Sequence, residues 1–247
     1  MVETALSLPL VVFLVLGMLQ LFMLLQARLL AQYAAGRAVH AGVTAFGDCA
    51  RMTDAALLGV MPSFHNYLGK AQPGKNVAEK LANAYALRRK NKYAGSGVPR
   101  DGSEDTGYNG DIIWIFREKP DAADVLAFQN GQDLNFDSPG NPARLEIRMI
   151  YWFPMRIPFA DWVLTRAYLA QWGALDYAAN NPYMPARPAS WQSNKGWSPD
   201  TLIKQEMRVR AERKEYVFPI SATFTMRMMT PAAAQYFQTQ NCPPLTP

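Results

Sequence analysis

The sequence predicts an α+β protein: a long N-terminal transmembrane and stalk helix, then a head in which a small antiparallel sheet packs against helices. The first thirty of the 247 residues hold a disproportionate share of the apolar side chains, as membrane helices do. Later segments alternate apolar and polar residues, which is typical of strands that bury one face. We therefore divide the chain into a transmembrane helix (residues 1–27), a stalk helix (28–61) and an extracytoplasmic head (62–247).

The first element is the membrane helix. The run from Thr4 to Ala27 contains no charged side chain, and at about 1.5 Å per residue it would span about 36 Å, more than the hydrocarbon core of a bilayer. A buried core helix and a cleaved signal peptide are the alternatives, and the length of the run favours a retained membrane helix. Pro9 predicts a bend or local melting, because proline has no N–H to donate.

The charges around this run bear on topology. Glu3 precedes it, where the carboxylate would be favoured by the helix dipole, pair with a free α-amine or lie among head groups. Arg28, Arg37 and Arg51 follow it, so the positive-inside rule alone would place the head in the cytoplasm. Removal of a basic leader from before Met1 would resolve this conflict, and we expect an extracytoplasmic head.

The second element is the stalk. The helix is predicted to continue to about Gly47 or on towards Met61, with Pro62 as its stop. Small side chains recur along it and would let it approach a neighbour closely. That neighbour is either another subunit or the chain's own head, and one long helix can accommodate both. The small residues are Ala31, Ala34, Ala35, Ala38, Ala41, Gly42 and Ala45.

Three stretches together resemble the TadE-like pilins of the tight-adherence (Tad) pilus system, which is related to type IV pili. The first is the start VETALSLP at residues 2–9, with the apolar span and the Ala-, Arg- and Gly-rich helix behind it. The second is YWFPMRIPF at 151–159. The third is FPISATFTMRM at 218–228, which is similar to the closing strand of the family.

This resemblance implies a minor or filament-forming pilin that is extracted from the bacterial inner membrane and assembled helix to helix into an extracellular filament. Its partners would be other pilin subunits and the pilus assembly machinery. The rival hypothesis is a permanently anchored periplasmic scaffold or binding protein of a secretion apparatus, and a third is an anchored hydrolase. The residues expected to take part in subunit assembly are Glu3, Pro9, Ala34, Ala35, Ala38 and Gly42.

The head carries signals for helices at 76–90, capped by Asn76, and at 158–172, with Pro158 in the first turn. Strands are predicted at 111–117, 144–153 and 220–228. A long loop at 178–199 contains aromatic residues that either form a contact surface or fold back onto the sheet: Tyr183, Trp191 and Trp197. The residues expected on the buried strand faces are Leu145, Ile147, Met149 and Tyr151, and Ile220, Ala222, Phe224, Met226 and Met228.

The sequence contains few motifs that suggest catalysis or the binding of a ligand. A net charge of +5 is too small an excess to indicate nucleic acid. The basic runs at 88–92 and 208–214 are interpreted as solvated surface, and a patch for nucleic acid or lipid phosphates is the alternative. Phosphate-loop, dinucleotide, nucleophile-elbow and zinc-protease motifs are absent, so we expect neither an enzyme nor a cofactor. Loops 101–109 and 133–137 resemble the start of a calcium loop but lack its glycine and closing glutamate, and ordinary turns explain them better.

Cys49 and Cys242 are the only cysteines, too few for a metal centre with the two histidines present. Outside the cytoplasm disulfides persist, and the proline-rich tail around Cys242 would fray unless it were tied down. We predict a bond that fastens this tail to the stalk, worth about 4–5 kcal/mol by loop closure. Two separate buried thiols and a bond between subunits are the alternatives.

Overall fold

The computed structural model describes residues 2–64, 74–93, 108, 110–121, 125, 144–171 and 199–242. Within these residues the α+β class is confirmed: a long apolar helix is followed by helices and a four-stranded antiparallel sheet. The helices are α1 (Val2–Thr44), α2 (Cys49–Phe64), α3 (Val77–Arg88), α4 (Ala160–Gln171) and α5 (Pro199–Glu212). The strands are β1 (Ile113–Lys119), β2 (Arg144–Pro154), β3 (Val217–Arg227) and β4 (Asn241–Cys242).

The sheet has the order β3-β2-β1-β4, so β3 and β4 are its edges. Ile113 of β1 faces Tyr151 of β2, and Ile115 faces both Met149 of β2 and Cys242 of β4. Strand β2 alternates as predicted up to Met149, and from there to Pro154 both of its faces are buried. An inner strand covered on both sides loses the alternation that a half-exposed strand shows.

The predicted buried face of the third strand is confirmed only in part. Ile220 and Ala222 of β3 are buried, whereas Phe224 is exposed and Met226 is partly exposed. Met228, the last residue of the predicted face, is buried again just beyond the strand. The ring of Phe224 lies beside α1, 3.5 Å from the place that a Cβ on Gly36 would occupy.

The stalk is two helices rather than one. Helix α1 runs on through Pro9 and ends at Thr44, where left-handed Phe46 and Gly47 (φ 58° and 83°) turn the chain, as residues in this conformation do after helices. The continuous helix over 28–61 is therefore corrected to α1, a turn and α2. Pro62 as a stop was wrong, because α2 continues to Phe64.

The last turn of α2 persists beyond Pro62 because Phe64 is held by packing. Its ring is almost fully buried, with centroids 5.6 Å from the ring of Tyr93 and 6.3 Å from that of Tyr151. Ser63 adds a hydrogen bond of 2.6 Å to the hydroxyl of Tyr151. These contacts offset the single backbone hydrogen bond that a proline removes.

Smaller differences concern the other helices. Asn76 does precede α3, but its side chain makes no capping bond, and the carboxylate of Glu79 instead accepts the N–H of Lys75 at 2.8 Å. Helix α4 begins at Ala160, two residues after the predicted Pro158. Helix α5 includes part of the basic run at 208–214 that was interpreted as solvated surface, and it buries Arg210 beside Glu206.

The chain forms two compact units, each assembled from separate segments. The first unit contains Met1–Phe22 and Pro154–Pro219, and the second contains Met23–Phe153 and Ile220–Pro247. Helix α1 contributes residues to both units. The predicted boundaries at 27 and 61 do not coincide with helix ends, which lie at Thr44 and Phe64.

Candidate assembly and membrane surface

Helix α1 has a covered face and an exposed face within the second unit. Residues on the covered face have no solvent exposure and recur every three or four positions, which places them on one side of a helix. On the other side Leu25, Leu29 and Tyr33 are each more than half exposed. The covered residues are Ala27, Ala31, Ala34, Ala35 and Ala38.

The small residues predicted to lie between subunits pack inside this chain. Ala34, Ala35 and Ala38 are fully buried, and a Cβ on Gly42 would lie 2.6 Å from Cδ2 of Leu145. The sequence left open whether this face packs against another subunit or against the chain's own head. In the structure it packs against the chain's own head. A part for these four residues in subunit assembly stays a prediction.

Helices α1 and α2 approach each other to backbone contact. A Cβ on Gly59 of α2 would lie 2.7 Å from Cβ and 2.8 Å from Cα of Ala34, closer than real Cβ atoms pack. Met52, Ala56 and Val60 of α2 are fully buried. Glycine against alanine therefore allows two helices to pack at close range, as small residues do wherever helices meet tightly.

The end of α1 is capped from far along the chain. The carbonyl of Val43 accepts the N–H groups of Met229 (3.2 Å) and Thr230 (3.0 Å) and the hydroxyl of Thr230 (2.8 Å). The same hydroxyl oxygen accepts the N–H of Phe46 at 3.0 Å. Helix ends leave carbonyls without intrahelical partners, and here the turn after β3 satisfies one of them.

The predicted disulfide is confirmed. Cys49 and Cys242 are bonded, with Cα atoms 5.3 Å apart, so neither separate thiols nor a bond between subunits describes this chain. Cys49 is the first residue of α2 rather than part of a continuous stalk, and Cys242 lies in β4 opposite Ile115. The bond therefore joins the start of α2 to the edge of the sheet.

Arg117 of β1 connects the turn before α2 to the C-terminal segment through hydrogen bonds. Its side chain is 1% exposed and its guanidinium carbon lies 4.2 Å from the centre of the Phe237 ring. Burial lowers the pKa of Arg117 to about 10 against the opposing effect of Asp48, so the side chain is charged at neutral pH. Its N–H groups donate to the carbonyls of Gly47 (3.1 Å), Tyr236 (2.7 Å), Gln240 (3.4 Å) and Thr239.

In the first unit, the segment before α4 is held against α1 at two points. The rings of Phe13 and Phe159 meet edge to face with centroids 5.7 Å apart. The side-chain oxygen of Gln20 accepts the N–H of Ile157 at 3.1 Å. Gln20 is fully buried, and its Nε2 has no hydrogen-bond partner among the described residues. Part of the predicted transmembrane run thus faces protein.

The remaining predicted assembly residues lie near the start of α1. The helix begins at Val2, so Glu3 is in its first turn, although the structure does not describe the Glu3 side chain. Pro9 is inside the helix and exposed. Ser7–Thr44 is long and apolar enough to cross a membrane by length and composition, and little of its most apolar window is buried. The roles of Glu3 and Pro9 in assembly stay predictions.

A half-open apolar groove of about 490 Å³ lies beside the exposed face of α1 in the second unit. Helix α3 forms one side, where Tyr85 bonds to Asp54 of α2; burial and this bond raise the pKa of Tyr85. Tyr33 belongs both to the groove and to the exposed face of α1. The lining residues are Tyr33, Arg37, Ala55, Leu58, Gly59, Pro62, Val77 and Leu81.

Some predicted sites fall outside the described residues. These are the aromatic residues Tyr183, Trp191 and Trp197, the calcium-like segment 133–137, and 101–109 apart from Tyr108. In the part of the chain that is described, His, Cys, Asp and Glu side chains form no group of three that could hold a metal ion.

Three residues that matter in the structure were missed from the sequence. Arg117 ends an apolar strand, Gln20 is a polar side chain in an apolar run, and Thr230 follows the last long strand. Arg117 and Gln20 could have been identified from the sequence, because a polar group in an apolar segment needs a partner when it is buried. Nothing in the sequence around Thr230 indicates its role.

Comparison with known proteins gives one match. Residues 1–40 match the model of a family described as TadE-like protein, which confirms the resemblance over α1 as far as His40. No curated protein sequence matches the chain, and no solved structure matches it.

Proposed function

We propose that this chain is a pilin-like structural subunit of a type IV or Tad-like pilus, assembled into an extracellular filament or at its tip through α1. The proposal rests on one observation above all. The residues that match the TadE-like family form an unbroken apolar helix, and its own chain leaves apolar side chains exposed along it. Such a face is suited first to lipid and then to the helices of neighbouring subunits.

The proposed location is the bacterial inner membrane with the head in the periplasm, followed by the extracellular filament. The disulfide between Cys49 and Cys242 supports a head outside the cytoplasm, because structural disulfides persist in oxidising compartments. Other pilin subunits and the assembly machinery are the proposed partners. The proposed role is structural rather than enzymatic.

The exposed face of α1 and the groove beside it make a continuous candidate surface for subunit contacts. Leu29 and Tyr33 belong to the exposed face, and Tyr33 is shared with the groove. Leu58 and Val77 extend the exposed apolar surface onto α2 and α3. Because the small residues of α1 are occupied inside the chain, this larger-residue surface is where we expect assembly contacts.

The decisive experiment is electron microscopy of material sheared from the cell surface, labelled with an antibody against the head. Gold along filaments or at their tips, lost in a strain that lacks the chain, is the expected result. A chain that stays in the inner-membrane fraction, while filaments form without it, would contradict the proposal. That outcome would favour the anchored periplasmic scaffold or binding protein.

A further inference from the structure

Within the first unit, helix α1 has a covered side in the middle of its uncharged run. Phe13, Leu16 and Gln20 recur at a spacing of three and four residues and are partly or fully covered, whereas Leu14 and Met18 between them are exposed. This spacing places the covered residues on one side of the helix. Protein therefore covers one side of α1 at this level and leaves the other side open.

Two of these residues are in contact with a short segment at the start of α4, residues 157–162, which we name the strap. The N–H of Ile157 donates to the side-chain oxygen of Gln20 at 3.1 Å. The ring of Phe159 meets the ring of Phe13 edge to face, with centroids 5.7 Å apart. The strap therefore runs along α1 from Gln20 towards the N-terminus of the helix.

These contacts lie deep within the run that would cross a membrane. Gln20 precedes Ala27 by about 10 Å along the helix, and Phe13 precedes it by about 21 Å. From Thr4, at the other end of the run, Phe13 is about 14 Å away. The hydrocarbon core of a bilayer is about 30 Å thick. A helix that spans the bilayer would therefore hold Phe13 near the middle of the core, with the strap beside it.

The strap is not suited to lipid at that depth. Residues 155–159 have no regular secondary structure, and Pro158 and Phe159 are exposed. Irregular backbone that faces lipid does not occur in the hydrocarbon core, because its N–H and C=O groups cannot bond to water there. Pro154, the last residue of β2, lies within about 11 Å of Ile157 by chain length alone, so it would be drawn into the core as well. Contact with the strap and a full span of the bilayer are therefore mutually exclusive.

We propose that the strap is a conformational device that leaves α1 when the helix spans the bilayer and closes over Phe13 and Gln20 when the helix is outside the lipid. In the bilayer, acyl chains cover this side of α1. Outside the bilayer, the ring of Phe159 covers Phe13, and the N–H of Ile157 bonds to Gln20. The inference rests on membrane insertion of α1, which is part of the proposed function, and not on filament assembly.

Two features weaken the closed contact, so that lipid can compete with it. Gln20 is fully buried, yet its Nε2 has no hydrogen-bond partner in the part of the chain that the structure describes. A buried donor without a partner costs free energy. Phe159 has a φ of 73°, in the left-handed region that is costly for a bulky residue. Opening of the strap frees Phe159 from this conformation.

The test replaces Phe159 with the photo-crosslinking analogue p-benzoylphenylalanine in the full chain. The protein is irradiated in detergent micelles and, separately, in vesicles of phosphatidylcholine and phosphatidylglycerol, and the crosslinked peptides are identified by mass spectrometry. A micelle adapts to the surface that the closed chain leaves exposed, so we expect a crosslink from position 159 to the α1 peptide that contains Phe13. In vesicles its yield should fall about tenfold or more, because the closed state would hold irregular backbone in lipid.

Two controls accompany this measurement. The same analogue at Phe218 reports on a contact of the first unit away from α1, because the rings of Phe218 and Tyr168 have centroids 4.6 Å apart. Its crosslink to the α4 peptide should have the same yield in micelles and vesicles. A nitroxide label at Leu14→Cys reports on insertion, and since the native cysteines are bonded to each other, only the new thiol reacts. In vesicles this label should be protected from a water-soluble nickel complex.

Each other outcome contradicts a defined part of the inference. An equal yield from position 159 in micelles and vesicles, with the Leu14→Cys label protected, would overturn release of the strap and leave membrane insertion intact. Absence of the α1 crosslink in both media would overturn the closed state. Loss of the Phe218 crosslink in vesicles would show that the first unit unfolds there, which also overturns the inference. A Leu14→Cys label in water would contradict the insertion on which the proposed function depends too.

Discussion

A buried guanidinium surrounded by main-chain carbonyls is difficult to replace, because each carbonyl loses a charged donor at once. Arg117 is in this position: it joins the turn after α1, through Gly47, to three carbonyls between Tyr236 and Gln240. Gly47 itself packs against the ring of Phe237, leaving no room for a side chain. The turn, the C-terminal segment and Arg117 therefore form one interdependent cluster.

Replacing Arg117 with methionine should destabilise the protein by about 3 kcal/mol, since buried carbonyls lose charge-assisted hydrogen bonds that the new side chain cannot make. The measurement is urea unfolding of the detergent-solubilised chain, followed by tryptophan fluorescence. Arg148→Met is the matched control, because its ion pair with Glu118 is partly exposed and should contribute no more than about 1 kcal/mol. Equal losses for the two variants would refute the role given to Arg117.

The Glu3→Ala variant addresses the first turn of α1. Among packed apolar helices a lone carboxylate is costly unless it finds a cation, and the α-amine of a neighbouring subunit is the expected partner. We therefore expect fewer filaments, normal membrane insertion and an intact disulfide in the head. Thr4→Ala serves as the uncharged control. Wild-type filament yield from Glu3→Ala would remove Glu3 from the assembly residues.

At the scale of elements, the crossing of α1 and α2 is set by Gly59 against Ala34. Gly59→Ala should cost about 1–3 kcal/mol, because the added methyl group meets the backbone of Ala34 and one helix must shift. Gly17→Ala is the contrasting change, since a Cβ there has no atom within 4 Å; it should be neutral or stabilise α1 by up to about 1 kcal/mol. Thermal unfolding in detergent compares them, and destabilisation by both changes would contradict this account.

A substitution on the exposed face of α1 can test filament assembly without disturbing the fold. Leu29→Gln changes a side chain that is 61% exposed, so the head should fold and form its disulfide while filament yield falls. Ala34→Leu places a large side chain at a residue that the sequence assigns to subunit assembly. This change should also destabilise the fold, because Ala34 is fully buried. Filament counts are read beside mass spectrometry of the disulfide. Normal filaments from Leu29→Gln would exclude this face as an assembly surface.

The elements differ in how far the sequence could predict them. Helix α1 and strand β2 were predicted because a long apolar run and a strict alternation each determine one type of structure. The continuation of α2 through Pro62 was not predictable, since it depends on rings of Tyr93 and Tyr151 that come from other parts of the chain. The alternation of β3 likewise predicts which residues share a face but not that Phe224 on this face is exposed while Met228 is buried.

At the scale of the whole molecule, two sets of hydrogen bonds and a disulfide connect the region around the end of α1 to residues 229–242. Val43 bonds to Thr230, Gly47 bonds to Arg117, which also holds the C-terminal segment, and Cys49 is bonded to Cys242. The disulfide could be predicted from the sequence because two cysteines allow a single intramolecular pairing. The hydrogen bonds of Thr230 to Val43 and of Arg117 to Gly47 could not be predicted, because threonine and arginine side chains can bond to many different groups.

Removing the disulfide should lower the free energy of unfolding by up to about 4–5 kcal/mol, because the two cysteines are 193 residues apart and the bond limits a long loop in the unfolded chain. The double variant Cys49→Ser, Cys242→Ser should show this loss in urea unfolding, and each single variant should show a similar one. Non-reducing mass spectrometry of a wild-type digest should contain the linked peptide. A wild-type digest with two free thiols would disprove the pairing.

The capping of Val43 by Thr230 has a consequence for biogenesis. The two residues are separated by 187 positions, so during synthesis α1 is complete long before the residue that caps it has been made. Contacts between residues so distant in sequence form late and slowly. A nascent chain without Thr230 and Cys242 therefore lacks the hydrogen bonds of Thr230 to Val43 and Phe46, and its Cys49 is still reduced. Because Cys242 is made later still, the bond to Cys49 cannot form until almost the whole chain has been synthesised.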